Sequence, residues 1–397
     1  MKKVLAIVMA LVMIMTLGVV SFAGNNDTQL QFKDGKFKIL CFADVQDGYP
    51  LYDDVIIYMN EAIKKTNPDL VVFLGDNVMG APTEEEYWLG YDQMLAPCIE
   101  NGVPFTFVFG NHDDESMPTI SKEQMLEKYM SYEGCLAYDA DPALHGVATH
   151  NLEILSTDGT HTAYNLWMFD SGDYAFAADG SRHYDCVRKD QIEWYENVSK
   201  ALEEKEGHVV PSLAFQHIVP ADVAQQIMVT VPFHLGKLGK YDMEDGTAIT
   251  YLPNLLGFNE GIVGEAPCPS TENEGQWDAM VERGDVKGMF FGHDHVNSYT
   301  ANVKGINATN VPGATYSSYQ SFLQHGSTLI TLDENDLDTY ETEIIFSNEL
   351  ALEDGSQLPG LERSKANYVF SHILNIICEF LVNMLRKIAE TVVSIVF

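Results

Sequence analysis

The sequence predicts an α/β fold, and three observations support this prediction. Short apolar runs of strand length alternate along the chain with segments whose apolar residues recur at helical spacing. Five of the apolar runs end directly in polar side chains of the kinds that bind metals. Residues 299–346 are rich in β-type residues, which predicts a second, largely antiparallel sheet in that region.

The predicted elements follow one another as strand–helix units. Residues 37–44 form the first strand, and Val55, Met59 and Ile63 share one face of a helix over residues 52–66. Ser121 and Gln124 have the spacing of a capping box that begins another helix. The other predicted strands span residues 69–76, 103–111, 163–174, 211–217 and 286–295, and the other helices span residues 85–102 and 189–205.

The charge of the chain excludes one class of function. Acidic residues outnumber basic residues 58 to 23 among 397, which leaves a formal net charge of −35. Such a surface repels nucleic-acid backbones, so we expect no nucleic-acid binding through a basic face. An anionic substrate would need a local positive centre, and a metal cluster supplies one.

Residues 1–23 have the pattern of a secretory signal peptide. Lys2 precedes a long apolar run, and the small residues Ser21 and Ala23 mark a cleavage position. We therefore expect an exported protein whose folded domain spans residues 24–350, with an uncleaved N-terminal anchor as the alternative. The six cysteines show no metal-type spacing and define no disulfide framework.

The five apolar runs present a set of side chains that can bind metals together. The carboxyl ends of strands line the crevice where an α/β sheet binds its ligands. Gly75, Gly110 and Gly292 come just before three of the groups, as a close approach requires. Each group alone is ordinary, since a lone strand-terminal Asp is more often a helix cap and a lone His a buried core residue. In chain order the groups are Asp44 with Gln46, Asp76 with Asn77, Asn111 with His112 and Asp113, His217, and His293 with His295.

This series resembles the calcineurin-like metallophosphoesterase family, whose pattern is D-x-H, GD, GNH, H and GHxH. The resemblance covers residues 36–346, and residues 189–202 and 284–299 are similar to purple-acid-phosphatase-like members. It implies a four-layer α/β/β/α sandwich, in which helices flank two mixed β-sheets. It also implies a two-metal hydrolase that acts on phosphate esters.

The resemblance assigns a role to each matching residue. Asp44 and His295 would bind the first metal, Asp76 would bridge both metals, and Asn111, His217 and His293 would bind the second. His112 would lie beside the cluster, contact the phosphate and protonate the leaving oxygen, with Asp113 or a nearby acid orienting its ring. The mixture of carboxylate, imidazole and amide donors suits two divalent or trivalent ions, with Fe, Mn or Zn preferred.

Two positions depart from the family pattern. The usual D-x-H reads D-V-Q here, so Gln46 offers only an amide oxygen to the first metal or acts behind the ligands. Asp47 is an alternative donor at this place. Met79 stands where purple members carry a tyrosine ligand, so that ligand is missing.

Two further regions are predicted to act around the domain. Residues 219–274 are long for a connection and are expected to form loops that select the substrate, with His234 and Tyr241 as candidate contacts or plain surface residues. Tyr316 and Tyr319 have the same two readings. Residues 351–367 read as a linker, and residues 368–397 as an amphipathic helix that lies on a membrane, on a partner or on its own domain.

The sequence therefore predicts an exported, dinuclear-metal-dependent hydrolase of phosphate monoesters or diesters, with a phosphorylated substrate. The alternative is a cell-surface binding or structural protein that keeps the fold with little catalysis, which Gln46 makes conceivable. A metallopeptidase is less favoured, because the chain contains no HExxH helix.

Overall fold

The computed structural model describes residues 28–350 except 116, 177–179, 232–239, 243–247, 255–256 and 321–323, together with residue 352. The predicted signal peptide, the predicted C-terminal helix, His234 and nearly all of the predicted linker lie outside the described residues. Within the described residues, no helix has the length and apolar character needed to cross a membrane.

The described residues form nineteen strands and six α-helices. The strands are β1 Leu30–Gln31, β2 Lys36–Phe42, β3 Asp47–Gly48, β4 Leu70–Leu74, β5 Val78–Gly80, β6 Phe105–Val108, β7 His150–Leu155, β8 Thr162–Met168, β9 Tyr174–Phe176, β10 Arg182–Tyr184, β11 Ser212–Phe215, β12 Met228–Val231, β13 Lys240–Asp242, β14 Ala248–Pro253, β15 Val286–Phe291, β16 Thr300–Val303, β17 Ile306–Asn310, β18 Gly326–Asp333 and β19 Asp336–Phe346. The helices are α1 Asp53–Thr66, α2 Glu84–Glu100, α3 Lys122–Met130, α4 Lys189–Glu206, α5 Ala221–Ile227 and α6 Gln276–Arg283, and a 3₁₀ turn spans Ser347–Glu349.

Two mixed sheets form the centre of the domain. The first has the order β19-β18-β2-β4-β6, in which β2, β4 and β6 are parallel and β18 is antiparallel to β2. The second has the order β1-β7-β8-β11-β15-β17-β16, in which β8, β11, β15 and β17 are parallel. The carboxyl ends of three parallel strands in the first sheet and two in the second carry the predicted donor groups.

Alternation of side chains along the strands builds four layers. In β2, Leu40 and Phe42 pack with residues of α1, α2 and α3, while Ile39 and Cys41 pack between the two sheets. The other face of the seven-stranded sheet packs against α4, α5 and α6. The predicted α/β/β/α sandwich is therefore confirmed.

The prediction for residues 299–346 is only half right. The β16–β17 and β18–β19 pairs are antiparallel, as expected. They do not form a separate sheet, since β17 extends the seven-stranded sheet beside β15 and β18 extends the five-stranded sheet beside β2. The residue pattern predicts the two antiparallel strand pairs, but the sheet that each pair joins depends on the rest of the fold.

The predicted capping box is present at the start of α3. The backbone N–H of Gln124 donates to Ser121 Oγ at 3.4 Å, and the backbone N–H of Ser121 donates to Gln124 Oε1 at 2.9 Å. These bonds satisfy donors that the first helical turn leaves without partners.

Candidate metal centre

The predicted donor residues meet where the two sheets face each other. Asp44, Asp76 and Asn111 follow β2, β4 and β6 of the five-stranded sheet. His217 follows β11, and His293 and His295 follow β15, of the seven-stranded sheet. All six side chains are buried. The donor set is therefore assembled across the two sheets and not at the edge of one sheet.

Four residues of the centre have left-handed backbone conformations. The φ angles are 49° at Asp44, 42° at Gln46, 50° at Asp76 and 72° at His293. This region is uncommon for residues other than glycine, and such strain concentrates at functional sites. The sequence pattern does not predict these conformations, although Asp, Asn and His are the non-glycine residues that enter the region most often.

Glycines allow the loops of the two sheets to approach closely. A Cβ atom on Gly110 would lie 2.2 Å from Asp76 Oδ1, and one on Gly292 would lie 2.8 Å from Asp44 Oδ2. Both distances are far below contact distance, so a side chain at either place would displace a donor carboxylate. The structure therefore has the close approach that these glycines predict.

The donor atoms form two groups that share one carboxylate. Asp76, His217 and His293 make the first group, and Asp44, Asp76 and His295 make the second, with the ligand atoms of each group within 4.8 Å of one another. His217 Nε2 lies 3.3 Å from Asp76 Oδ2, and His295 Nε2 lies 3.5 Å from Asp44 Oδ1. Asn111 Oδ1 lies 3.2 Å from His217 Nε2 and so adds an amide oxygen to the first group.

Hydrogen bonds orient two of the imidazoles for metal binding. His217 Nδ1 donates to the carbonyl oxygen of Leu74 at 2.7 Å, and His295 Nδ1 donates to that of Tyr319 at 2.8 Å. Each bond places a proton on Nδ1, so Nε2 is the ring atom that faces the donor group. The protein therefore presents Nε2 of both rings to the place where a metal would bind.

Two buried atoms in the centre lack a hydrogen-bond partner among the described residues, namely His293 Nε2 and Gln46 Oε1. A buried polar atom without a partner is costly, and a bound pair of cations would satisfy both atoms, one cation for each. Gln46 Nε2 lies 3.5 Å from Asp76 Oδ2, so the amide is next to the shared carboxylate. The residues present therefore fit a pair of metal ions.

Asp47 and Asp294 are turned away from the donor groups. The carboxylate oxygens of Asp47 accept the backbone N–H groups of Gly48 at 2.9 Å and Tyr52 at 2.5 Å. The carboxylate of Asp294 accepts the N–H of Cys268 at 3.2 Å. The alternative that Asp47 replaces the missing histidine ligand gains no support from this arrangement.

His112 lies beside the donor groups, with its side chain about a third exposed. Its backbone N–H donates to Asp76 Oδ1 at 2.8 Å, and its ring Nδ1 is 2.5 Å from Glu115 Oε2. Asp113 has a different task, because its buried carboxylate accepts the N–H groups of Gly110 at 2.7 Å and Asn77 at 2.7 Å. The nearby acid that orients the His112 ring is thus Glu115, which no sequence motif marks.

Burial and the neighbouring charges set the protonation of the centre. Burial raises the pKa of Asp44 well above its ordinary value, although the charge of His217 opposes the rise. For Asp76, burial acts in the same direction, but the charge and hydrogen bond of His217 outweigh it and lower its pKa. Burial lowers the pKa of His293 to about 3 and of His295 to about 4, so both rings are neutral. Neutral imidazoles are the form that binds metals.

Tyrosines cover the two histidines of the last motif. The Tyr319 ring stacks on His295 at a centroid distance of 4.0 Å, and the Tyr184 ring meets His293 edge-on at 4.4 Å. Tyr316 packs instead against His325, and the side chain of Tyr241 lies outside what the structure describes. Of the two aromatic candidates in residues 316–319, Tyr319 is the one at the centre. Tyr184 could not be predicted as a residue of the centre, because nothing in its local sequence distinguishes it from other tyrosines.

Comparison with known proteins identifies similar sequences and structures. The family model described as calcineurin-like phosphoesterase matches residues 37–297. The curated protein "Probable inactive purple acid phosphatase 14" of Arabidopsis thaliana is 30% identical over 73% of this chain and 74% of its own. Phosphatase DCR2 of Saccharomyces cerevisiae is 25% identical over 67% of this chain and 45% of its own. A solved dimetal phosphatase from Danio rerio has a TM-score of 0.48 and 13% identity, over 78% of this chain and 95% of that one.

Proposed function

The chain belongs to the calcineurin-like phosphoesterase family, and on this premise we propose that it is a dinuclear-metal-dependent hydrolase of phosphate esters. One observation supports the proposal above the others. Two groups of metal donors share the single carboxylate of Asp76, which is the arrangement that holds two ions side by side.

Six residues would hold the ions, with Gln46 as a seventh, weaker donor. Asp44, Asp76 and His295 would bind one ion, and Asp76, Asn111, His217 and His293 would bind the other. When bound, such a pair polarises the phosphoryl oxygens and lowers the pKa of water for in-line displacement at phosphorus. The donor set favours Fe, Mn or Zn.

The protein itself would contribute His112 as a proton donor, held in a turn that is fixed relative to the donor residues. His112 is a polar ring at the edge of the centre with its side chain about a third exposed, and Glu115 holds its Nδ1. Its Nε2 would therefore face a substrate oxygen and give it a proton as the ester bond breaks. The bond from the His112 N–H to Asp76 fixes the turn relative to the donor carboxylate.

A second candidate is a binding protein that keeps the fold with little turnover. The name of the Arabidopsis relative includes the word inactive, and Gln46 replaces the usual histidine in this chain. Two measurements on the purified protein separate the candidates: bound metal by elemental analysis, and hydrolysis of an aryl phosphate after loading with Fe, Mn or Zn. Two ions per chain with turnover supports the hydrolase, whereas two ions without turnover on a panel of phosphate esters refutes it.

We also propose that the protein is exported, on the basis of the signal-peptide pattern of residues 1–23. N-terminal sequencing of protein recovered outside the cytoplasm tests this proposal. A mature chain that begins near residue 24 supports cleavage, and a chain that keeps residues 1–23 supports the anchor.

A further inference from the structure

The β9–β10 hairpin forms a wall beside the metal centre. Its strands pair with Tyr174 opposite Tyr184 and Phe176 opposite Arg182. These four residues occupy alternate positions, so their side chains lie on one face of the hairpin. The face therefore carries three aromatic rings, one arginine and no acidic side chain.

This face contacts the donor residues directly. The ring of Tyr184 meets His293 at a centroid distance of 4.4 Å, and the hydroxyl of Tyr174 accepts a hydrogen bond from Asn111 Nδ2 at 3.0 Å. The two tyrosine rings stack on each other at 5.5 Å. A group bound at the metal centre would therefore extend along this face.

Arg182 ends the stack as an exposed cation. Its guanidinium lies 4.0 Å from the centroid of the Tyr174 ring, so a cation–π contact holds it in place. Among the described residues, no carboxylate lies within ion-pair distance of Arg182. Lys122 and Arg188, by contrast, are neutralised, since Lys122 pairs with Asp173 and Arg188 pairs with Glu272. In a chain with a net charge of −35, an arginine that is oriented by an aromatic ring and not by an acid is available to an anionic ligand.

Phe176 adds exposed apolar surface to the same face. Its side chain is 68% exposed, although large aromatic side chains are usually covered. It lies opposite Arg182 in the hairpin, so a planar group that packs on the ring would place a substituent near the guanidinium. The hairpin thus offers a ring contact and a positive charge side by side.

We propose that this face selects phosphate esters in which an aromatic ring carries an anionic group outside the scissile phosphate. The inference rests on the proposed function, because the scissile phosphate would lie at the metal centre. Phe176 would contact the ring and Arg182 would bind the second anion. In hydrolysis a water oxygen joins the phosphorus, the bond to the aryl oxygen breaks, and that oxygen leaves as the phenol with a proton from His112.

Non-hydrolysable phosphonates test this proposal without turnover. The affinities of the metal-loaded protein for 4-carboxyphenylphosphonate, phenylphosphonate and methylphosphonate are measured by titration calorimetry. We expect the carboxylate to improve binding roughly three- to tenfold, between the values for an exposed ion pair and a charge-assisted hydrogen bond. Arg182→Gln should remove this preference and Arg182→Lys should keep part of it. Phe176→Ala should weaken both aryl phosphonates relative to methylphosphonate.

The control is Lys33→Gln, which removes an exposed charge remote in sequence from the hairpin and should keep the wild-type preference. No carboxylate preference in the wild type, or the same preference in Arg182→Gln, would overturn the inference. An Arg182-dependent preference in a protein that hydrolyses no ester would refute the proposed function and leave the selective face standing. Ester hydrolysis together with a binding preference that does not depend on Arg182 would support the proposed function and overturn the inference about the hairpin face.

Discussion

Asp76 is the residue on which both donor groups depend. Its Oδ1 accepts the His112 N–H, and its Oδ2 faces His217 and Gln46. A left-handed backbone and the absence of a Cβ on Gly110 place the carboxylate there. Asp76 thus has both a left-handed backbone and a carboxylate whose two oxygens each contact other residues of the centre.

We expect Asp76→Asn to lose metal from both places, because a neutral amide cannot bridge two cations as a carboxylate does. Elemental analysis should find less than one ion per chain, and hydrolysis should fall to background. Asp338→Asn, which changes a mostly exposed carboxylate, is the matched control and should behave as the wild type. Two bound ions in Asp76→Asn would contradict the shared-carboxylate arrangement.

Gln46→His should tighten the ion that Asp44, Asp76 and His295 would bind. Gln46 Oε1 is buried without a partner among the described residues, and imidazole is a stronger ligand than an amide oxygen. Histidine also tolerates the left-handed conformation of this position better than most residues. The concentration of added metal for half-maximal activity should therefore decrease. An unchanged metal titration would show that Gln46 does not face the ion.

At the scale of elements, the turn after β6 would separate the proposed metal binding from the proposed proton transfer. The turn carries Asn111 into the donor group and His112 beside it, and Asp113 ties it to the turn after β4 through the Asn77 N–H. Neighbouring residues of one turn can thus have distinct roles, because each side chain leaves the backbone in a different direction.

His112→Ala should keep both metals and lower kcat roughly 10²–10⁴-fold, which is the usual contribution of a positioned acid. Glu115→Gln should have a smaller effect, about 10–100-fold, because it disturbs only the orientation of the ring. Both losses should grow as the leaving group becomes more basic, since poor leaving groups depend most on a proton donor. Equal losses for aryl and alkyl esters would argue against this role for His112.

His150 connects the two sheets and should make stability depend on pH. Its Nε2 is 2.7 Å from Thr106 Oγ1 on β6, and its Nδ1 donates to the Ala148 carbonyl oxygen at 2.6 Å. Burial lowers the pKa of His150 to about 4, from 6.5 in an unfolded chain. Between these values only the unfolded chain binds the proton, so the native state loses stability as the pH falls from 6.5 towards 4.

The decrease in the free energy of unfolding that is attributable to His150 is at most about 1.4 kcal/mol per pH unit. Urea unfolding of the wild type and His150→Gln between pH 4.5 and 7 should give a shallower pH dependence for the variant. Parallel curves for the two proteins would show that His150 accepts a proton equally in both states.

At the scale of the whole molecule, the predicted C-terminal helix of residues 368–397 determines what the domain attaches to. Residues 368–397 have polar residues every three or four positions within an otherwise mainly apolar run, and that pattern cannot stay in water alone. The stretch from residue 372 to 394 carries two acids and two bases, so apolar contact and not charge would supply the binding.

Deleting residues 366–397 should therefore leave hydrolysis intact and convert a membrane-bound or oligomeric protein into a monomer. Liposome flotation and size-exclusion chromatography of both forms check this expectation. If the full-length protein neither floats nor oligomerises, the segment packs on its own domain and the proposed attachment is wrong.

The strands, the capped helix and the donor types around Asp76 and His295 could all be predicted from sequence, because each depends on residues that are contiguous in the chain. The strands and side chains that these elements meet in the folded domain could not be predicted. The sheet that β17 and β18 join, the pairing of His112 with Glu115 and the contact of Tyr184 with His293 depend on segments far apart in sequence or on the exact path of a turn. Side-chain periodicity specifies which face of an element is buried, whereas the neighbour it meets is chosen by packing of the whole domain.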